Sequence, residues 1–117
     1  MQNLLFALTV VIILGSCIKT ETKKLPPAAP SNLSVVALDP NNIKLTWTDN
    51  SNDELGFDLE EKDNVSHPDF VLFARIMKDI TVYYQGNLTP GKTYTFRIKA
   101  TNAYGESSFS NVVSVTL

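Results

Sequence analysis

The sequence predicts an all-β fold, a seven-stranded antiparallel β-sandwich, on three observations. From Ser31 onward, apolar and polar residues alternate with period 2. Clusters of Asp, Asn, Pro and Gly break these runs at short, regular intervals. No part of that region spaces its apolar residues as an amphipathic helix of useful length does. Alternation of this kind belongs to half-buried antiparallel strands with one wet face, and several such strands close into a sandwich.

The N-terminal element is of another kind. Leu4 to Leu14 is an apolar run of 11 residues that leads into Leu14-Gly15-Ser16-Cys17. A membrane-spanning helix needs about 20 apolar residues, so the run suits the core of a signal peptide. The Met1-Gln2-Asn3 start lacks the positive charge usual in such signals. Cys17 is the only cysteine, which excludes a disulfide within one chain. This ending resembles the lipobox of bacterial lipoproteins. The resemblance implies a signal peptide over residues 1–16, a palmitate-type lipid anchor on Cys17, and the membrane as a partner. Several buried acyl chains hold firmly, because each CH₂ contributes about 0.8 kcal/mol. Ile18 follows the Cys where Asp favours inner-membrane retention, so the resemblance points to the outer membrane. Its surface and periplasmic faces both stay open.

Residues 17–30 read as the lipidated Cys and a linker, charged from Lys19 to Lys24 and Pro-rich from Pro26 to Pro30. That composition predicts an extended tether. The folded domain is expected over 31–117. The whole chain's net charge of −2 and pI near 5.2 argue against nucleic acid as a partner. A domain of this size can fold without disulfide or metal.

The strands follow in order. Leu33, Val35 and Ala37 alternate with Ser34 and Val36, before the turn at Asp39-Pro40-Asn41-Asn42. Ile43, Leu45 and Trp47 alternate with Lys44, Thr46 and Thr48, before Asp49 to Glu54. Phe57 and Leu59 alternate with Asp58 and Glu60, before Asp63 to Pro68. Phe70 to Ile76 and Ile80 to Gln85 come next, before the turns at Gly86-Asn87 and Pro90-Gly91. Tyr94, Phe96, Ile98 and Ala100 alternate with Thr95, Arg97, Lys99 and Thr101. Val112 to Leu117 is last, after the Asn102 to Ser108 loop.

Particular residues sharpen this reading. Leu88-Thr89-Pro90-Gly91-Lys92-Thr93-Tyr94 resembles the tyrosine-corner approach to strand F of fibronectin type III domains. Pro30-Ser31-Asn32-Leu33 resembles the start of that family, and Leu45-Thr46-Trp47 its strand B with the core Trp. Asp49 to Phe57 resembles the B–C loop of bacterial members, and Ala100 to Ser107 the F–G loop. The resemblance covers residues 28–117 and implies an immunoglobulin-like sandwich. Structural roles then fall to Trp47, Tyr94, Pro90 and Gly91. It also implies a non-catalytic module for protein binding or spacing; the alternative is an accessory or glycan-associated module of a secreted carbohydrate-active system. The F–G loop has no Arg-Gly-Asp, so integrin binding does not carry over.

Candidate chemistry is sparse, and no catalytic residue, metal site or cofactor is expected. Asp58 and Glu60 share a face and could form a carboxylate pair for glycoside hydrolysis, but Arg97 and Lys99 on the adjacent strand predict a charge ladder instead. Asp49, Ser51, Asp53 and Glu60 sit at calcium-loop spacings, yet Glu54 stands where such loops need Gly. His67, the only histidine, has no second His and no Cys beside it and is expected to be a solvated loop residue. Phe70-Val71-Leu72-Phe73 is the apolar anomaly, since strict alternation turns one pair outward. With Tyr84 and Tyr104 it forms the candidate binding surface.

Overall fold

The computed structural model describes residues 24–117. The apolar run and Cys17 lie outside the described residues. The alternating runs form strands β1 (Ser31–Asp39), β2 (Asn42–Thr48), β3 (Gly56–Asp63), β4 (Val71–Met77), β5 (Val82–Gln85), β6 (Thr93–Asn102), β7 (Gly105–Glu106) and β8 (Val113–Thr116). All pairings are antiparallel. One sheet has the order β1-β2-β5. The other runs β4-β3-β6, with β7 and β8 both pairing to the far side of β6.

The inward residues of the two sheets meet as the sequence pattern requires. Ile43, Leu45 and Trp47 from β2 face Phe57 and Leu59 from β3 and Phe96, Ile98 and Ala100 from β6, all buried. Each fully buried side chain of this size contributes about 1.5–3 kcal/mol. The Trp47 and Phe57 rings pack edge to face with centroids 5.7 Å apart. Gly56 opens β3 where the Ile76 carbonyl of β4 comes close: a Cβ at Gly56 would lie 2.5 Å from that oxygen.

Eight elements replace the expected seven because the last strand is broken. Between β7 and β8, serines take over the ladder. Ser107 Oγ accepts from the Ala100 N–H at 2.8 Å while Ser107 N donates to the Ala100 carbonyl. Ser110 repeats the arrangement on Ile98. Asn111 then bonds Leu33 across to β1, donating to its carbonyl and accepting from its N–H, both at 2.9 Å. The amide acts as a peptide group would and ties the two sheets together.

The Pro-rich stretch is a correction to the free tether expected. Pro27 and Pro30 are buried. Asn102 Nδ2 donates to the Leu25 carbonyl at 3.0 Å, and Asn50 Nδ2 to the Ala29 carbonyl at 2.9 Å. The chain is therefore docked on the sandwich from Leu25 onward.

Candidate functional site

The outer face of the larger sheet carries the charge ladder. Asp58 lies opposite Lys99, and Glu60 opposite Arg97. Arg97 Nε and Nη2 both donate to Glu60 Oε1, at 2.9 and 2.7 Å, and Lys99 pairs with Glu106. Asp58 is 3.6 Å from Arg75. Each carboxylate thus has a cation beside it. The aromatic contribution was not legible beforehand. The Arg97 guanidinium lies between two rings, 4.1 Å from Phe70 and 3.7 Å from Phe109. Phe70, read as part of an apolar patch, is half-buried in this stack.

The rest of the anomalous segment divides. Leu59 pairs with Ala74 but Glu60 with Leu72, so Phe73 is an extra residue in β4. Such a bulge resets which way side chains point. Phe73 leaves the candidate surface as a result: its ring packs edge to face on Phe96 at 6.2 Å and on Tyr83 at 6.3 Å. Val71 and Leu72 stay 44% and 47% exposed on a strand with no partner on its outer side. Farther along the strand, Met77 is 74% exposed, next to Leu55 at 66%. Leu55, Met77 and Arg75 edge a shallow depression of about 260 Å³, which adjoins a second, lined by Tyr104 and Glu106, through Asp58, Arg75 and Thr101. Tyr104 therefore shares this surface. Tyr84, also exposed, stands beside Lys44 on the three-stranded sheet and belongs to a separate face.

The structural residues sit where the sequence puts them. Pro90 and Gly91 make the turn into β6, closed by Lys92 N donating to the Thr89 carbonyl. Gly91 has φ of 82°, a conformation glycine adopts without strain. The buried Tyr94 hydroxyl accepts from the Thr89 N–H at 2.9 Å, closing the tyrosine corner. The fibronectin type III domain family matches residues 28–116. The chain belongs to the fibronectin type III family. Solved structures agree in fold. A protein solved as a "Myokine structure" aligns at TM-score 0.65 and 19% identity, over 77% of this chain and 96% of that one. One solved as "FN3tt mut" aligns at TM-score 0.64 and 26% identity, over 79% and 97%. A chicken CNTN1 fragment of domains FN1–FN3 aligns at TM-score 0.66 and 21% identity, over 78% of this chain and 32% of that one. A fibronectin type III domain is typically a non-catalytic module, which supports a role in protein binding or spacing.

Within this fibronectin type III sandwich, the polar clusters lie at its ends. At one end Ser51 Oγ bonds both Asp49 and the buried Glu54, and Glu54 Oε2 accepts from the Asp79 N–H at 3.2 Å. This is a turn network rather than a calcium loop: Asp53 is exposed and Glu60 is engaged with Arg97. Burial and the adjacent Glu54 raise Asp49. Glu54 is lowered, because the bonds from Asp49, Asp79 and Ser51 outweigh its burial.

At the opposite end of β3, the inward series Phe57, Leu59 continues into Glu61 and Asp63, both buried. His67 covers them, which corrects the expectation of a solvated loop histidine. Its Nε2 lies 3.3 Å from Glu61 Oε1 and 3.3 Å from Asp63 Oδ2. Lys92 Nζ is 3.1 Å from the same Asp63 oxygen. Asp63 Oδ1 accepts the N–H groups of Val65 and Ser66, and Asp63 N donates to the His67 carbonyl, closing the loop. Burial pushes Glu61 up, and His67 only partly opposes it. Burial also works against Asp63, but the Ser66 and Val65 N–H groups and Lys92 together hold it far below the usual carboxylate range. The signal for this cluster was in the sequence. Residues 61 and 63 keep the inward phase of 57 and 59, and a buried carboxylate needs a partner.

Proposed function

We propose that this chain is a non-catalytic bacterial lipoprotein, anchored in the outer membrane through Cys17, that presents one fibronectin type III domain for protein binding. The observation that carries the reading is the open edge of β4, which exposes Val71, Leu72 and Met77 beside the depression edged by Leu55, Arg75 and Tyr104. An unpaired strand edge offers main-chain groups to an added strand, and neighbouring apolar and aromatic side chains supply selectivity. The docked Pro-rich stretch implies a short tether. The eight chain steps from Cys17 to Leu25 reach at most about 29 Å. The domain then works close to the lipid surface. Tyr84 and Tyr104 do not line up as a sugar-stacking row, so the glycan-associated reading gains no support from them.

The test is site-specific photo-crosslinking in intact cells, with a photoreactive residue at Leu72 or Met77 and a control at Ser34 on the other sheet. The expected result is one discrete adduct from Leu72 and Met77 and none from Ser34. Equal yields at all three positions, or none, defeat the binding surface. Palmitate labelling and membrane fractionation of Cys17→Ala test the anchor separately: unchanged membrane association in that variant defeats it.

A further inference from the structure

We infer that Glu61, Asp63 and His67 form a binding site for a divalent metal ion of the zinc type. The cluster is mismatched in hydrogen bonding. Two carboxylate oxygens converge on one nitrogen, His67 Nε2, each at 3.3 Å. A ring nitrogen carries one proton or one lone pair, so it can satisfy one of them in good geometry. The contact with Glu61 has hydrogen-bond geometry. Asp63 Oδ2, on a side chain only 1% exposed, makes no contact of full hydrogen-bond geometry among the described residues; the Lys92 ammonium at 3.1 Å is its other charged neighbour. That oxygen is balanced by charge rather than by well-aligned N–H donors, and it lies within 3.3 Å of His67 Nε2 in the cluster.

A metal ion resolves the mismatch because it binds all three atoms at once. The three donor atoms lie within 4.8 Å of one another. Zinc holds His nitrogen and carboxylate oxygen at about 2.0–2.2 Å, which puts neighbouring ligands in a tetrahedral site about 3.4 Å apart. Both distances from Nε2 fit that edge. One imidazole and two carboxylates form a donor set that suits zinc better than magnesium or calcium, which favour all-oxygen sites. The site is also held in shape beforehand. Glu61 and Asp63 sit on β3, and the loop to His67 is closed by the Asp63 N–H on the His67 carbonyl and by the Asp63 cap on Val65 and Ser66.

Lys92 is the competing cation. Its Nζ approaches Asp63 Oδ2 at 3.1 Å, but it also donates to Ser66 Oγ at 2.8 Å and lies 5.5 Å from the Tyr94 ring. An incoming ion shares Asp63 with Lys92 or displaces the ammonium towards Ser66. Lys92 therefore weakens the site without closing it. His67 is 38% exposed and gives the ion a way in.

The experiment uses the full chain in detergent with Cys17→Ser, so that no thiol competes for the metal, and zinc chloride as the probe. His67 is the only histidine, so one set of imidazole NMR signals reports this site alone. The expected result is saturable 1:1 binding by calorimetry, a shift of the His67 signals at the same stoichiometry, and a higher Tm. His67→Ala should weaken binding at least about tenfold, and Lys92→Met should tighten it several-fold. His67 signals that move with pH but not with zinc overturn the inference and leave an ion-pair cluster. Zinc binding unchanged in His67→Ala overturns it as well. The NMR titration needs no variant and decides the matter even if His67→Ala folds poorly.

Discussion

The two halves of β3 face the same interior with opposite chemistry. Phe57 and Leu59 enter an apolar core against Trp47, whereas Glu61 and Asp63 enter a cluster roofed by His67 and Lys92. The strand and its alternation are the same throughout. The difference teaches that period 2 fixes where a side chain points, while the groups at the far end of that direction decide what it costs to bury. Midway along the strand, packing supplies the stability. At its end, two acids are kept only because other elements bring cations and N–H groups to them.

The sharpest break is in the apolar half. Phe57→Ala should cost about 3–5 kcal/mol in denaturant unfolding, through the lost ring and the cavity beside Trp47. A loss below about 1 kcal/mol would show that this end of the core collapses freely.

The same contrast runs along β4. Phe73→Ser should cost about 2–4 kcal/mol, because Phe73 packs on Phe96. Leu72→Ser should stay near 0.5 kcal/mol, because Leu72 is exposed. Equal costs would refute the bulge as the device that separates them.

In the polar half, Asp63→Asn should lower Tm at pH 7 by several degrees. The folded pKa of Asp63 is depressed, so its stabilisation is present above the ordinary aspartate value and disappears as pH falls through the folded one. The gap between variant and parent should therefore narrow below about pH 3.8. A gap independent of pH would assign the loss to packing rather than to charge.

The smallest effect belongs to Glu61→Gln. Its folded pKa is raised, so the favourable contribution of its protonated form is present below the ordinary glutamate value and is lost as pH rises through the folded value. The variant should match or slightly exceed the parent in Tm at pH 7 and lose that advantage below about pH 4.5. A clear destabilisation at pH 7 would mean that the His67 contact outweighs the burial of Glu61.

Much of the fold was legible because its signals are local. Trp47, Phe57, Phe96 and Ile98 were readable as core from their alternation, and Pro90, Gly91 and Tyr94 as a corner from their spacing. The charge ladder followed once β3 and β6 were neighbours. Phe109 was not legible as a partner of Arg97, because a loop residue carries no phase. Phe73 departs from the alternation of its own segment because a bulge is a property of the pair β3 and β4, and β4 read alone contains no extra residue. The docking of Pro27 and Pro30 escaped for a related reason: composition predicts chain stiffness, while Asn50 and Asn102 decide whether a stiff chain finds a place to bind.

The sequence by itself determined the sheet class, the order of strands and turns, the inward and outward faces of β2, β3 and β6, and the family resemblance. These follow from period 2 and from turn residues, which act over a few positions. Only the tertiary structure decided the medium each buried group meets. It brought His67 and Lys92 over Glu61 and Asp63, put Arg97 between Phe70 and Phe109, and set Ser107 and Ser110 in place of strand hydrogen bonds. Such partners lie up to tens of residues apart in the chain, and their meeting is fixed by sheet register and loop closure rather than by any local pattern.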